Sequence, residues 1–286
     1  MTEQVQKRKR GGGRAGNALR RGSASIDQMP WHLPINTDKP TEPLDEEGVV
    51  AIHEGAMRIL EEIGVEFLNK KALSILKKAG CEISEQNVRM DRNFVMEMLE
   101  KAPSTFEITP RNVSKKITVG GPYILFGNVS SPPAYWDLEN NKKIPGSREM
   151  CANFCKLSQY FNCIHFLGGY PVEPVDLHPS TRHLDAVFDK LILSDKVAHA
   201  YSLGKERVED VMEMVRIAGN LNHDEFEASP RMFTNINSTS PLKHDEPMLD
   251  GWMRLAKKNQ ALIVTPFTLA GAMAPVTMAG AVAQSI

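Results

Sequence analysis

Apolar positions follow two different periods along this chain, and the change of period divides it. From about residue 45 to residue 100 they recur at helical spacing. VVAIHEGAMRILEEIGV places Val49, Ile52, Ala56, Met57, Leu60 and Ile63 on one face, with Gly64 as its stop. KKALSILKKAGCEI reads as a second helix ending at Gly80, and MDRNFVMEMLEKAP as a third that Asp91 can cap. TFEITPRNVSKKITVGG then reads as two short strands, and PYILFGNVSSP as a third that ends in polar residues.

A regular alternation follows. Ser147 can cap a helix running to about Tyr160, and CIHFLGG is the next short apolar strand. HPSTRHLDAVFDKLILS is amphipathic through Leu184, Val187, Phe188, Leu191 and Ile192, and KVAHAYSL is again a strand. GKERVEDVMEMVRIAGN turns Val208, Val211, Met212, Val215 and Ile217 inward and ends at Gly219. PRMFTNINSTSPL, the helical EPMLDGWMRLAKKNQ and the continuous apolar run ALIVTPF complete the series.

Strands therefore start near residues 164, 197, 231 and 262, about 30 residues apart, the length of a strand, a crossover helix and two loops. The class expected is α/β: a (β/α)8 TIM barrel of which about five βα units are visible, preceded by a helical subdomain. Three regions result: a basic disordered tail at 1–30, a helical subdomain at 31–115 and an incomplete barrel domain at 116–286. A barrel typically needs about 250 residues, so one that starts near 116 extends past 286. Neither GxGxxG nor GxxxxGK[ST] follows any strand, so the nucleotide-binding doubly wound folds lack their usual marker.

Composition narrows the class further. With 42% hydrophobic and 24% charged residues among 286, the chain can bury a sizeable core as an ordinary globular protein. The net charge of −1 conceals a tail in which Lys7, Arg8, Lys9, Arg10, Arg14, Arg20 and Arg21 face only Glu3, a net of +6 over residues 1–21. That tail has no interleaved aromatic for base stacking, and a solvated arm is favoured over a nucleic-acid contact. No apolar run reaches the ~20 residues of a membrane span, and no secretory h-region follows the basic start. Cys81, Cys151, Cys155 and Cys163 form no disulfide framework, which suits a reducing cytoplasm. Cys151 and Cys155 sit at i, i+4 with Cys163 nearby; packing as small hydrophobes is favoured there over a metal site.

In a barrel the chemistry gathers at the C-terminal ends of the strands. Those ends carry Asn128, Ser130 and Ser131; Gly168, Gly169, Tyr170 and Glu173; Ser202; Asn237, Ser238, Thr239 and Ser240; Thr265, Phe267 and Thr268. HExxH, GxSxG and a carboxylate pair are all missing. Amide and hydroxyl groups beside aromatics suit a neutral or cationic substrate, because aromatic faces attract quaternary ammonium groups. The expected binding residues are Asn237, Ser238 and Thr239 as polar contacts, Tyr170 and Phe267 as aromatic walls, and Glu173 as a counter-charge. The competing reading is that the aromatics are rim packing and Glu173 is solvated.

GRAGNALRR in the leader, PLDEEGVVAIHEGAMRILEEIGVEF, ITVGGP, AYWDLENNKKIPGS and SPLKHDEPMLDGWMRLAKKNQALIVTPFTLAGAMAPVTMAGAVAQ closely resemble the trimethylamine methyltransferase family. The resemblance runs from Gly13 over nearly the whole chain, and TPFTLAGAMAPVTMAGA is its most specific part. It implies a TIM-barrel enzyme that moves a methyl group from trimethylamine, or from a quaternary amine such as glycine betaine, to the cobalt of a separate corrinoid protein. No cofactor is then expected on this chain itself; a small methylated amine and the corrinoid protein are its partners, in a cytoplasmic homo-oligomer. At this length, short of the family's full barrel, the expectation is an inactive piece. Two rivals stand beside it: an unrelated TIM-barrel lyase, which would want a Schiff-base lysine at a strand end, and a basic-tailed nucleic-acid-binding protein.

Overall fold

A computed structural model describes residues 26–201, 204–239 and 241–286. The basic tail therefore falls outside the described residues up to residue 25, as do Ser202 and Ser240 of the strand-end series. Helix α1 (Glu46–Arg58) starts at Asp45, whose side chain accepts from Gly48 N, and passes into a π-turn over Ile59–Ile63. Gly64, at φ +81°, ends it as expected. The π-turn adds a residue to the helical repeat, so the buried face does not continue to Ile63: Ala56 and Met57 are buried, while Val49 and Ile63 are exposed. Strand β1 (Val65–Phe67) follows, then α2 (Lys70–Lys78), the hairpin β2 (Glu82–Ser84) and β3 (Asn87–Arg89), and α3 (Arg92–Glu100).

Strands β4 (Thr105–Ile108) and β5 (Ile117–Gly120) are the two short strands expected, and they pair antiparallel. PYILFGNVSSP does not form a regular strand. Its Gly127 makes a single parallel bridge to Phe166, and Phe126 N donates to His165 Nδ1 at 2.9 Å. A side chain thus takes the place of a backbone acceptor, and the ladder cannot extend. Between this segment and the next helix stands a further hairpin, β6 (Ala134–Asp137) and β7 (Lys142–Pro145).

The alternating region is α/β as expected. Its elements are α4 (Arg148–Tyr160), β8 (Phe166–Leu167), α5 (Arg182–Leu193), β9 (Val197–Tyr201), α6 (Lys205–Ala218), the short α7 (His223–Glu227), β10 (Met232–Asn237), β11 (Lys243–His244), α8 (Glu246–Lys257), β12 (Ala261–Thr265) and α9 (Met278–Ser285). The strands β8, β9, β10 and β12 form one parallel sheet in the order in which the chain makes them. The sheet is open: among the described residues no closed barrel is present. Met232 and Leu262 face outward into a core with Val187, Val208, Val211, Met212, Val215, Phe226 and Leu255. Burial of such side chains, worth ~1.5–3 kcal/mol each, presses α5, α6 and α8 onto that face.

Strand β11 belongs to another sheet. It pairs in parallel with β1, in the order β11-β1-β3-β2, and the ion pair Lys243–Glu66 at 2.6 Å lies in the same register. The loop after β10 is thereby sewn to the N-terminal part, where Leu249 packs with Phe67, Ala72 and Val88.

Helix α5 does not bury the face its apolar period indicates. His183, Ala186, Val187 and Lys190 are buried, whereas Phe188 is 52% and Ile192 55% exposed. Polar partners explain the rotation. Asp210 bonds His183 at 2.8 Å, and Arg148 from α4 pairs with Asp185 and Asp189, both at 2.7 Å. Helix α6 keeps Val208, Val211, Met212 and Val215 inside, with Ile217 outside. Leu255→Ala, which empties a fully buried position, is expected to lower the unfolding free energy in urea by about 2–5 kcal/mol. Phe188→Ala is expected to stay within about 0.5 kcal/mol; comparable losses for both would contradict the observed face of α5.

Candidate functional site at the strand ends

Side chains alternate along a strand, so if Met232 faces the helices then Phe233, Asn235 and Asn237 share the other face. The Phe233 ring confirms the side: it lies 5.1 Å from that of Phe166 and 4.9 Å from that of His199. Below them the β4–β5 hairpin supplies Ile108 and Ile117, both buried, and an apolar cavity of about 190 Å³ separates hairpin and sheet. Above them the register sets Asn235 opposite Ile263 and Asn237 opposite Thr265. The inner face therefore grades from an aromatic floor, through the His199 imidazole, to amides and a hydroxyl at the rim. The Thr265 hydroxyl is buried and has no hydrogen-bond partner among the described residues.

His199 is held in one state by its surroundings. Gly169 N donates to its Nδ1 at 2.6 Å, which leaves the ring proton on Nε2. Burial, followed by the nearby Lys190 charge, pushes its pKa down to about 3. Lys190 reaches the same place from α5: its Nζ donates to Gly169 O at 2.5 Å and to His199 O at 2.7 Å. Complete burial draws its pKa down to about 8. A lowered pKa is what an amine nucleophile needs, but here both bonds go to backbone carbonyls, in keeping with a structural anchor. Asn128 ties in the neighbouring turn, accepting from Gly168 N and donating to Gly168 O, each at 3.1 Å.

The six expected binding residues are distributed over three places. Asn237 is exposed on the inner face. Ser238 turns to the other side, where it accepts from Phe267 N at 3.4 Å and lines a cavity of about 250 Å³ with Thr268, Lys243, His244 and Gln284. Ile59 and Leu60 of the π-turn form the far wall of that cavity. Thr239 bonds to Asp245 at 3.3 Å, and Asp245 in turn caps α8. Phe267 is exposed at the rim. Tyr170 is buried between α4 and α5 with Cys151, Val172 and Ala186, and Glu173 pairs with Arg182 at 2.5 Å. Structure thus joins Ser238 with Phe267 and keeps Tyr170 and Glu173 apart from them.

His199, Asn235 and Lys190 escaped the sequence reading because they precede the strand ends or lie on a helix. Period-two alternation from Asn237 back to Asn235 was the signal available for one of them. Cys151 and Cys155 are buried one turn apart in α4, and the hydrogen bond between them together with burial raises the Cys155 thiol far above its ordinary range. No group of three His, Cys, Asp or Glu side chains able to hold a metal occurs among the described residues. No described helix is long and apolar enough to cross a membrane.

A parallel sheet with polar groups gathered at the carboxyl ends of its strands defines an α/β protein, and that edge is its candidate site. The profile of the trimethylamine methyltransferase (MTTB) family matches residues 10–286, and the chain belongs to that family. It is 33% identical over 237 residues to the glycine betaine methyltransferase of Desulfitobacterium hafniense strain Y51, covering 83% of this chain and 49% of that protein. Identity is 26% over 252 residues to the proline betaine:corrinoid methyltransferase of Eubacterium limosum, covering 83% of this chain and 50% of that one. It is 23% over 246 residues to the trimethylamine methyltransferase MttB of D. hafniense strain DSM 10664 / DCB-2, covering 82% and 47%. The chain spans about half the length of these curated relatives.

An imidazole that protonates less readily in the folded state adds stability above its ordinary pKa of 6.5 and loses it as the pH falls toward about 3. Between those values, wild type is expected to lose up to about 1.4 kcal/mol more per pH unit than His199→Gln, measured by urea unfolding. His165 and His244, also lowered by burial, are present in both proteins and cancel. Parallel pH profiles would show that His199 is not held neutral by the fold.

Proposed function

We propose that this chain provides the donor-binding part of a corrinoid-dependent methyltransferase acting on a quaternary amine of the glycine betaine type. The observation that carries the reading is the neutral row His199, Asn235, Asn237 and Thr265 above the Phe166–Phe233 floor. A trimethylammonium group is large, weakly hydrated and permanently charged, and each aromatic ring can attract it by about 0.5–2 kcal/mol. The amides of Asn235 and Asn237 and the Thr265 hydroxyl can donate to a betaine carboxylate. A quaternary nitrogen leaves as a neutral amine and needs no proton, so a row of uncharged groups is sufficient to orient it. Trimethylamine, by contrast, must be protonated before neutral dimethylamine can leave. The identity of 33% to a glycine betaine methyltransferase, above that to MttB, supports the same choice.

The strand order supports a (β/α)8 barrel as the parent architecture. Each new parallel strand is added beside the last, β8, β9, β10, β12, whereas a doubly wound sheet reverses direction. With the β4–β5 hairpin across the floor, the strand ends form the open side. A corrinoid on a separate protein supplies the nucleophile that takes the methyl group. The residues of this chain bind the donor, exclude water from it and point one N–CH3 bond toward the mouth.

The test is to give the protein that carries this sequence glycine betaine, proline betaine or trimethylamine, with and without a reduced corrinoid protein, and to follow the demethylated amine by mass spectrometry. A betaine is expected to be demethylated at least about tenfold faster than trimethylamine, only with the corrinoid protein, and Asn237→Leu to reduce kcat/KM about tenfold or more. Equal turnover without the corrinoid protein would contradict the mechanism. A preference for trimethylamine would contradict the donor.

A further inference from the structure

Helix α5 leaves Phe188 and Ile192 in solvent and buries a lysine in their stead. Burying an ammonium group is unfavourable unless its protons are accepted, and Lys190 finds two acceptors on different parts of the sheet. Gly169 lies just after β8, and His199 lies within β9. A third contact closes the ring between them: Gly169 N itself donates to His199 Nδ1 at 2.6 Å. Neighbouring Gly168 has no room for a side chain, since a Cβ would stand 2.6 Å from Asn128 O. The turn is therefore clamped from both sides.

We infer that Lys190 is a positioning residue, whose ammonium group ties the Gly168–Gly169–Tyr170 turn to β9 and so keeps the His199 ring proton on Nε2. The inference deepens the methyltransferase reading, because it explains how a donor site at the strand ends would keep a fixed hydrogen-bonding pattern. Lys190 itself touches no donor. It acts through Gly169 and His199, and the buried thiols of Cys151 and Cys155 on α4 complete its surroundings.

The experiment needs neither methyl donor nor corrinoid, so its failure is separable from failure of the proposed function. In the ¹⁵N-labelled chain, the His199 ring nitrogens report the tautomer and amide exchange reports the Gly169 and Tyr170 N–H groups. Wild type is expected to show the Nε2–H tautomer and slow Gly169 exchange. Lys190→Met, similar in length but without donors, is expected to speed Gly169 exchange about tenfold or more and to mix the His199 tautomers. Exchange in β10 and β12 should stay unchanged, and Lys190→Arg should keep more of the wild-type pattern. Unchanged Gly169 exchange and tautomer in Lys190→Met would overturn the inference. If that variant does not fold, the wild-type spectrum still decides: a proton on His199 Nδ1 overturns it, and one on Nε2 with a slow Gly169 amide upholds it.

Discussion

The parallel ladder from β8 through β9 and β10 to β12 is the constraint on which the rest depends. Because successive strands are neighbours and run the same way, every strand delivers its C-terminal end to one edge of the sheet. The connecting helices must then return across the outer face, where Met232, Leu262 and the inward valines of α6 bury them. Everything polar that the strands carry at their far ends is thereby collected on one side, without any local motif to announce it. The N-terminal part is tied to this edge: β11, in the loop that follows β10, is a strand of the β1 sheet.

A second level of organisation is polar, buried at Lys190 and Lys196 and half-buried at Arg148. Lys190 gathers one carbonyl just after β8 and one within β9, and Lys196 gathers two at the end of α4, donating to Ser158 O at 2.6 Å and Phe161 O at 2.7 Å. Arg148 binds α4 to α5 through Asp185 and Asp189. Such contacts stabilise little on balance, since each charge must first leave water. What they hold in place is the turn after β8 and the turn between α4 and β8.

These polar contacts also explain which features could be read in advance. The βα alternation, the caps at Asp91 and Ser147 and the inward face of α6 from Val208 to Val215 follow from period and capping chemistry alone. The face of α5 does not, because His183 gains a partner 27 residues away in Asp210, and Lys190 gains two on different parts of the sheet, Gly169 and His199. The π-turn at Ile59–Ile63 and the single bridge at Gly127 were hidden for a similar reason: each is bonded to a distant segment, the π-turn to Asn87 and Met90 and Gly127 to Phe166. At the candidate site, Asn237 follows from the strand-end rule, while the division between it and Ser238 on opposite sides needed the observed register. Tyr170 and Glu173 lie where the loop after β8 folds back toward α4 and α5, a path no local signal encodes.

The account stands on one claim, that a methylated amine binds on the inner face of the sheet at the ends of β10 and β12. The most direct measurement is of intermolecular nuclear Overhauser effects from ¹³C-methyl glycine betaine to the labelled protein. The account predicts contacts from the methyl protons to Phe233, Asn235, Asn237 and Thr265. Contacts confined to the cavity beside Ser238, Gln284 and the π-turn, or to the outer helices, would contradict it.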